Sequence, residues 1–259
     1  MDLGLAGRSA LVMGGSRGLG LACATALARE RAVVTLAARD PQRLAQAAAQ
    51  IEAQTGTPVT TSAGDLRSAD ARANALRMCP APDVLITNAQ GPTPGDFRQY
   101  NRADWVAAFD DAFFAPAEMI KAVFDGMCAR GYGRIISISS RSVKNPQSDM
   151  PLSNGVRAAL HGFLAGIARS GVARNVTINT LAPGIFDSDA QQRHINGLVR
   201  ETGRSFDDIR AERERGIPAG RFGRVEEVGA YVAFLASVHA GYITGQTLLI
   251  DGGNYPGTL

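Results

Sequence analysis

Seven short β-rich runs alternate with Ala-rich helical runs along nearly the whole chain, and this alternation restricts the fold more than any other feature. The runs are Ser9–Gly14, Val33–Ala38, Pro58–Ala63, Val84–Asn88, Arg134–Ser139, Thr177–Leu181 and Thr247–Asp251. Most are continuously apolar rather than alternating, the pattern of strands covered by helices on both faces of a parallel sheet. Helical patterns fall between them near Leu19–Glu30, Gln42–Gln54, Ala69–Met78, Ala103–Arg130, Leu152–Ala173 and Val225–Ser237. Such a chain predicts a doubly wound, three-layer α/β sandwich around a parallel sheet of about seven strands. At 259 residues, with no internal repeat or low-complexity linker, it is expected to form one domain over 1–259.

The first strand runs into Gly14-Gly15-Ser16-Arg17-Gly18-Leu19-Gly20. Strand, glycine turn and helix together make the geometry that holds a dinucleotide pyrophosphate, and they mark the sandwich as Rossmann-type. Gly14 and Gly18 suit a sharp turn and a close approach of backbone to phosphate, and Gly20 suits tight packing of helix on sheet. The first N–H groups of that helix lack internal partners, so they and the helix dipole attract an anion. The same residues also fit GxSxG, the nucleophile elbow of α/β-hydrolases, with Asp187 and His194 as the acid and base that reading requires. The later motifs below favour the dinucleotide reading.

At the end of the second strand, NAD enzymes usually place an acid for the ribose hydroxyls. Here the chain reads Leu36-Ala37-Ala38-Arg39, followed by Asp40. Arg39 and Arg17 flanking the adenosine ribose suit a 2′-phosphate, so NADP(H) is expected rather than NAD. Asp187 to Gly220 is polar, charged and long. It follows the sixth strand, where ligands of open α/β sheets bind, so a substrate lid over about 187–220 is expected.

Composition narrows the partners. A net charge of +3 without a basic tract leaves no footprint for nucleic acid, and segments such as Arg210–Arg215 mix Arg with Glu as a solvated helix face does. No stretch is long and apolar enough to span a bilayer, and no secretory leader is expected. Cys23, Cys79 and Cys128 are scattered, as suits reduced thiols in a cytoplasmic protein. His161, His194 and His239 are equally dispersed, and no metal site is expected.

These motifs together resemble the short-chain dehydrogenase/reductase family over nearly the whole chain, and its 3-oxoacyl-ACP-reductase-like members in particular. Gly14, Gly18 and Gly20 are similar to its TGxxxGxG turn, with Met13 in place of the Thr. Asp65-Leu66 resembles the dipeptide that receives the adenine. Thr87-Asn88-Ala89-Gln90 resembles its NNAG stretch, with Gln90 for Gly. Gly133-Arg134-Ile135-Ile136 leading to Ser139-Ser140 resembles the strand that carries its catalytic Ser. Asn179 and Pro183-Gly184 match the sixth strand and its turn, with Ser188 in place of a Thr that contacts the nicotinamide carboxamide. Arg221–Arg224 and Gly245–Gly253 match its C-terminal region. The resemblance implies a cofactor site of Gly14, Ser16, Arg17, Gly18, Leu19, Gly20, Arg39, Asp65, Leu66, Asn88, Ala89, Arg157, Pro183, Gly184 and Ser188. It also implies a homotetramer or homodimer, paired through the Ala103–Arg130 and Leu152–Ala173 helices.

The family's mechanism uses a Tyr as proton donor, a Lys one helical turn later, a Ser and an Asn. Family spacing from Ser140 puts the Tyr at 153 and the Lys at 157, which are Ser153 and Arg157 here. The Asn position is Ala112. An alkyl hydroxyl is a far weaker acid than a phenol, and an arginine stays charged. Ser153 and Arg157 still share one helix face. Ser140, Ser153, Arg157 and Lys144 are therefore the candidate catalytic residues. Lys144 is a substitute donor or an anion binder if desolvated, and a solvent-facing lysine otherwise. His161, one turn beyond Arg157, reads as a buried subunit-interface histidine. Small residues at 112 and 153 point to a roomy cleft and a bulky small-molecule substrate. Three readings follow. They are an NADP(H)-dependent reductase of a carbonyl or polarised double bond, a lyase, isomerase or cyclase on the same scaffold, and an NADP-binding protein without turnover.

Overall fold

The computed structural model describes residues 1–92 and 94–257. Its strands are β1 (Ser9–Met13), β2 (Val33–Ala38), β3 (Val59–Ala63), β4 (Val84–Asn88), β5 (Gly133–Ile138), β6 (Val176–Pro183), β7 (Phe186–Asp187), β8 (Gly223–Arg224) and β9 (Thr247–Ile250). Its helices are α1 (Gly18–Arg29), α2 (Pro41–Thr55), α3 (Ala69–Met78), α4 (Arg102–Phe109), α5 (Ala115–Arg130), α6 (Pro151–Ile167), α7 (Asp189–Thr202), α8 (Phe206–Arg215) and α9 (Val225–Ala236).

Seven strands make one sheet in the order β3-β2-β1-β4-β5-β6-β9, and every neighbouring pair is parallel. The order reverses between β1 and β4, which opens a crevice beyond their carboxyl ends. One face of the sheet is covered by α1, α2 and α9, around Val12, Leu27, Leu36, Ile51, Ile86 and Val232. The other is covered by α3, α5 and α6, around Leu11, Leu85, Met119, Met127, Ile135 and Leu164. Leu11 and Val12 are adjacent and fully buried in opposite layers. Period-two side chains in a sheet covered on both faces require that arrangement, and it is why these runs are continuously apolar.

The seven predicted strands are all present, with ends differing by a residue or two. The two-stranded sheet of β7 and β8 was not predicted, because a two-residue strand leaves no periodicity to read. The predicted Ala103–Arg130 helix is interrupted. Asp110–Phe114 is a wide π-helical turn between α4 and α5. Pro116, in the first turn of α5, has no N–H to donate and crowds the carbonyl four residues back, and the wider turn relieves both conflicts. The predicted Leu152–Ala173 helix stops at Ile167; a short tight turn over Val172–Arg174 follows, and Asn175 enters the left-handed region at φ 56°.

Arg134, the second residue of β5, is fully buried and pairs with no carboxylate among the described residues. Its guanidinium donates to the carbonyls of Gly133, Asn175 and Ser237 and to Asn175 Oδ1, and it lies 4.4 Å from the Tyr132 ring centroid. Tyr132 in turn donates to the Ala236 carbonyl at 2.6 Å. The pair joins the entry of β5 to the exit of α9.

Candidate active site

The glycine turn sits at the crevice. Gly14 has φ 63° and Gly18 φ 56°, both in the left-handed region. A Cβ on Gly20 would lie 2.2 Å from the Gly14 carbonyl oxygen, so only hydrogen allows α1 to approach β1 this closely. Asn88, at the end of β4, donates Nδ2–H to that same carbonyl at 3.3 Å and holds the turn from the far side of the crevice. Ser16 and Leu19 lie in the turn and the first residues of the helix. No side chain caps α1 and no acid sits in its first turn, so its leading N–H groups keep their full attraction for an anion.

Arg17 and Arg39 meet above this turn. Both donate to Gln90 Oε1, from Arg39 Nη2 at 3.1 Å and Arg17 Nη2 at 3.4 Å. Burial lowers the Arg17 pKa, and the charges of Arg193, Arg43 and Arg39 lower it further against the opposing pull of Asp189. Two cations thus share one neutral oxygen where the second strand ends, a pair able to hold an anion. Asp65 is gripped by Arg67, whose Nε donates to both carboxylate oxygens at 2.9 and 3.0 Å. That hydrogen bonding holds the Asp65 pKa below its usual range. The Leu66 carbonyl accepts from Arg72 at 2.8 Å. At the sixth strand, Pro183 ends β6 and the Gly184 N–H donates to the Ile250 carbonyl at 2.9 Å. Ser188 caps α7, accepting from the Gln191 N–H at 3.4 Å.

The second half of the site lies at the ends of β4, β5 and α6. Ser140 Oγ accepts from the Ser142 N–H at 3.1 Å. Ser153 is buried, and its Oγ accepts from Arg157 Nε at 3.2 Å. The other Arg157 nitrogens donate to the Ile138 and Ala89 carbonyls, each at 3.4 Å. Burial pushes the Arg157 pKa down to about 10 against the pull of Asp111, so the guanidinium stays charged at neutral pH. Ser153 and Arg157 are therefore brought into contact, whereas no hydrogen bond joins Ser140 to either among the described residues. The Lys144 N–H donates to the Arg141 carbonyl at 2.9 Å, and its side chain makes no hydrogen bond or ion pair with a described residue.

Both ring nitrogens of His161 are hydrogen-bonded within the chain, Nε2 with Ser139 Oγ at 2.8 Å and Nδ1 with Thr247 Oγ1 at 3.2 Å. Burial, then the charges of Arg157 and Lys144, push its pKa down to about 4. Asp111 was missed by sequence reasoning. This partly buried carboxyl sits in the π-helical turn, within reach of the charges of Arg39, Arg67, Asp65 and Arg157, and burial raises its pKa. Nothing in the spacing marks it, because the wide turn that places it is absent from any regular helical pattern.

The 187–220 segment folds as α7 and α8 around its own apolar cluster of Ile195, Ile209, Ile217 and Phe222. β7 and β8 pair at its base, so the segment leaves and rejoins the body at one neck. The acid of the hydrolase reading is engaged elsewhere, since Asp187 accepts from Arg210 Nη2 at 2.8 Å. Among the described residues, no hydrogen bond joins Ser16 to a histidine.

Known proteins resemble this chain in sequence and fold. The family model described as Enoyl-(Acyl carrier protein) reductase matches residues 14–254. The chain is 32% identical over 252 residues to the NADPH-dependent reductase BacG of Bacillus subtilis, covering 95% of this chain and 97% of that protein. It is 32% identical over 254 residues to dehydrogenase/reductase SDR family member 4 of Oryctolagus cuniculus, covering 96% and 94%. The solved structure of L-sorbose reductase from Gluconobacter frateurii, in complex with NADPH and L-sorbose, superposes with a TM-score of 0.93 at 26% identity, over 97% of this chain and 98% of that one. With the sheet order, the glycine turn and these matches in agreement, the chain belongs to the short-chain dehydrogenase/reductase family.

Proposed function

We propose that this protein is an NADP(H)-dependent oxidoreductase that reduces a carbonyl or a polarised double bond without the family's usual Tyr–Lys pair. The observation that carries the cofactor choice is the convergence of Arg17 and Arg39 on one neutral oxygen at the end of β2. In that place they exchange Gln90 for a 2′-phosphate, which offers charge-assisted hydrogen bonds that the amide cannot. Gly14, Ser16, Gly18, Leu19 and Gly20 cradle the pyrophosphate. Asp65 and Leu66 flank the adenine, and Asn88, Ala89, Pro183, Gly184 and Ser188 line the nicotinamide half. NADPH, when bound, supplies the hydride.

The chain's own residues handle the developing negative charge. The Ser153 oxygen accepts from Arg157 and the Ser140 oxygen accepts from the Ser142 N–H, so each hydroxyl has an acceptor position engaged, and its proton goes to no described residue. Two such donors backed by a buried guanidinium stabilise an oxyanion by preorganisation, an effect of about 3 kcal/mol for a single well-placed donor. Arg157 holds the nicotinamide ribose and supplies positive charge but no proton. Lys144 is the nearby group of the set able to release one. The α7–α8 segment acts as the substrate lid of a single domain. Subunits pair through α4, α5 and α6, where Val106 and Phe114 leave apolar surface exposed.

Calorimetric titration with NADPH and NADH, followed by NADPH absorbance with a panel of ketones, quinones and enones, tests this reading. Preferential NADPH binding with oxidation by at least one compound is the expected result. Tight NADPH binding with no oxidation across the panel, or no uptake of either NADP form, overturns it. A compound consumed without change in the NADPH signal points instead to non-redox chemistry in the same cleft.

A further inference from the structure

Two arginines near the Ser140 loop, Arg213 and Arg141, carry positive charge that the reductase reading does not use. Arg213 projects from α8. Its guanidinium is about half-buried, its Nε is shielded from solvent without a partner, and it makes no hydrogen bond or ion pair with any described residue. A buried charged donor left unpaired is costly, so an acceptor brought to this Nε would relieve that cost. Arg141, directly after Ser140, lies near enough for its charge to act on Arg213. It donates to Asn254 Oδ1 and, with the Gln147 amide turned to match the network, to Gln147 Oε1 at 3.2 and 2.5 Å. Both hydrogen-bond partners are neutral, and the carboxylate whose charge opposes that of Arg141 is Asp251. Burial lowers the pKa of both arginines, and the Arg141 charge lowers that of Arg213 further.

The geometry ties this pair to the reaction centre. Asn254 also donates to the Gly216 carbonyl at the end of α8 at 3.0 Å, so one side chain braces Arg141 against the helix that carries Arg213. Asn154, next to Ser153, donates to the Gln147 carbonyl at 2.7 Å, which fixes the Arg141 loop against α6. The carboxylates whose charge opposes that of Arg213 are Asp149 and Glu212. Asp149 forms no ion pair with a described residue, and Glu212 is taken by Arg204.

We propose that Arg213, backed by the charge of Arg141, is a carboxylate-binding subsite at the substrate end of the cleft, and that the substrate is a carboxylic acid bearing the reducible group. The inference rests on the reductase reading for the second half of that statement only. The planar Nε–Nη edge of a free guanidinium matches the two oxygens of a carboxylate, and its half-burial strengthens the match. Docked there, an acid is held from α8 while its reactive carbon lies towards Ser140 and Ser153. The lid therefore reads the charge of what it covers.

Binding to the NADPH-loaded protein, measured by calorimetry, separates this from the reductase reading. Three acids of different length, benzoylformate, acetoacetate and levulinate, are compared with their methyl esters. At least one acid should bind ten-fold or more tightly than its ester. Arg213→Met should abolish that preference, Arg213→Lys should keep part of it, and both variants should bind NADPH as the parent does, which also shows that they fold. Equal binding of every acid and ester, no binding of any acid, an unchanged preference in Arg213→Met, or displacement of the acid by equimolar inorganic phosphate would each overturn the subsite. Failure of NADPH to bind the parent protein would sink the reductase reading and leaves acid binding by Arg213 to be scored on the cofactor-free protein.

Discussion

At the residue scale, the site is governed by arginines whose partners are neutral. Arg17 and Arg39 share Gln90 Oε1, and Arg157 is bonded to two carbonyls and a hydroxyl. Removing a charge-assisted contact to phosphate costs about 1.5–3 kcal/mol, or roughly 10- to 100-fold in affinity. Arg39→Ala should therefore weaken NADPH binding by that factor while leaving NADH binding nearly unchanged, as titration calorimetry with both cofactors will show. His161 gives a pH prediction. Its folded pKa of about 4 lies below the ordinary histidine value of 6.5, so between those limits the unfolded chain binds more protons than the folded one. Stability present above about pH 6.5 is then lost as pH falls towards 4, with a slope of at most about 1.4 kcal/mol per pH unit. Urea midpoints measured from pH 7 to pH 4 should show this fall, and His161→Gln should flatten it.

At the scale of elements, two close fits hold the cofactor layer and the sheet. Gly20 lets α1 approach β1, and a Cβ there would meet the Gly14 carbonyl at 2.2 Å and Asn88 Nδ2 at 2.9 Å. The first of these is backbone and cannot turn aside. Gly20→Ala should cost about 1–3 kcal/mol and shift the turn that receives the pyrophosphate. Lower thermal stability together with weaker NADPH binding is the expected signature. Arg134 ties β5 to the exit of α9 through carbonyls. Arg134→Met fills similar volume but strands those buried acceptors, at about 1–3 kcal/mol each before relaxation. Its urea midpoint should fall while the NADPH affinity of the folded fraction stays unchanged, because Arg134 lies at the amino end of the strand, away from the crevice.

At the scale of the whole molecule, α4, the π-helical turn and α5 present apolar surface that the chain itself does not cover. Phe114 is 50% exposed and Val106 44% exposed on this wall. If subunits pair there across a two-fold axis, Phe114→Glu places like charges against each other at the interface. Sedimentation should then show a smaller assembly than that of the parent protein, and an unchanged mass would argue against this interface. No helix of the described residues is long and apolar enough to cross a membrane.

The layers, the strand count and the glycine turn were legible in the amino-acid order alone, since each is a local matter. Continuous apolar runs such as Val33–Ala38 belong to strands covered on two sides, and Gly14 and Gly20 stand where another residue's Cβ would not fit. The π-helical turn that sets Asp111 facing Arg157 was not legible, because Pro116 offered the choice between a break and a widened turn, and packing made it. The sequence did place Arg17 beside Arg39 and Ser153 on one face with Arg157, but not the Gln90 oxygen that the first two share, the Ala89 carbonyl above Arg157, or the link from Arg141 through Asn254 to the end of α8. Most of these residues are far apart along the chain, and strand order and helix packing bring their side chains within hydrogen-bond reach. Periodicity reports which face a residue occupies, and folding alone selects what stands opposite it.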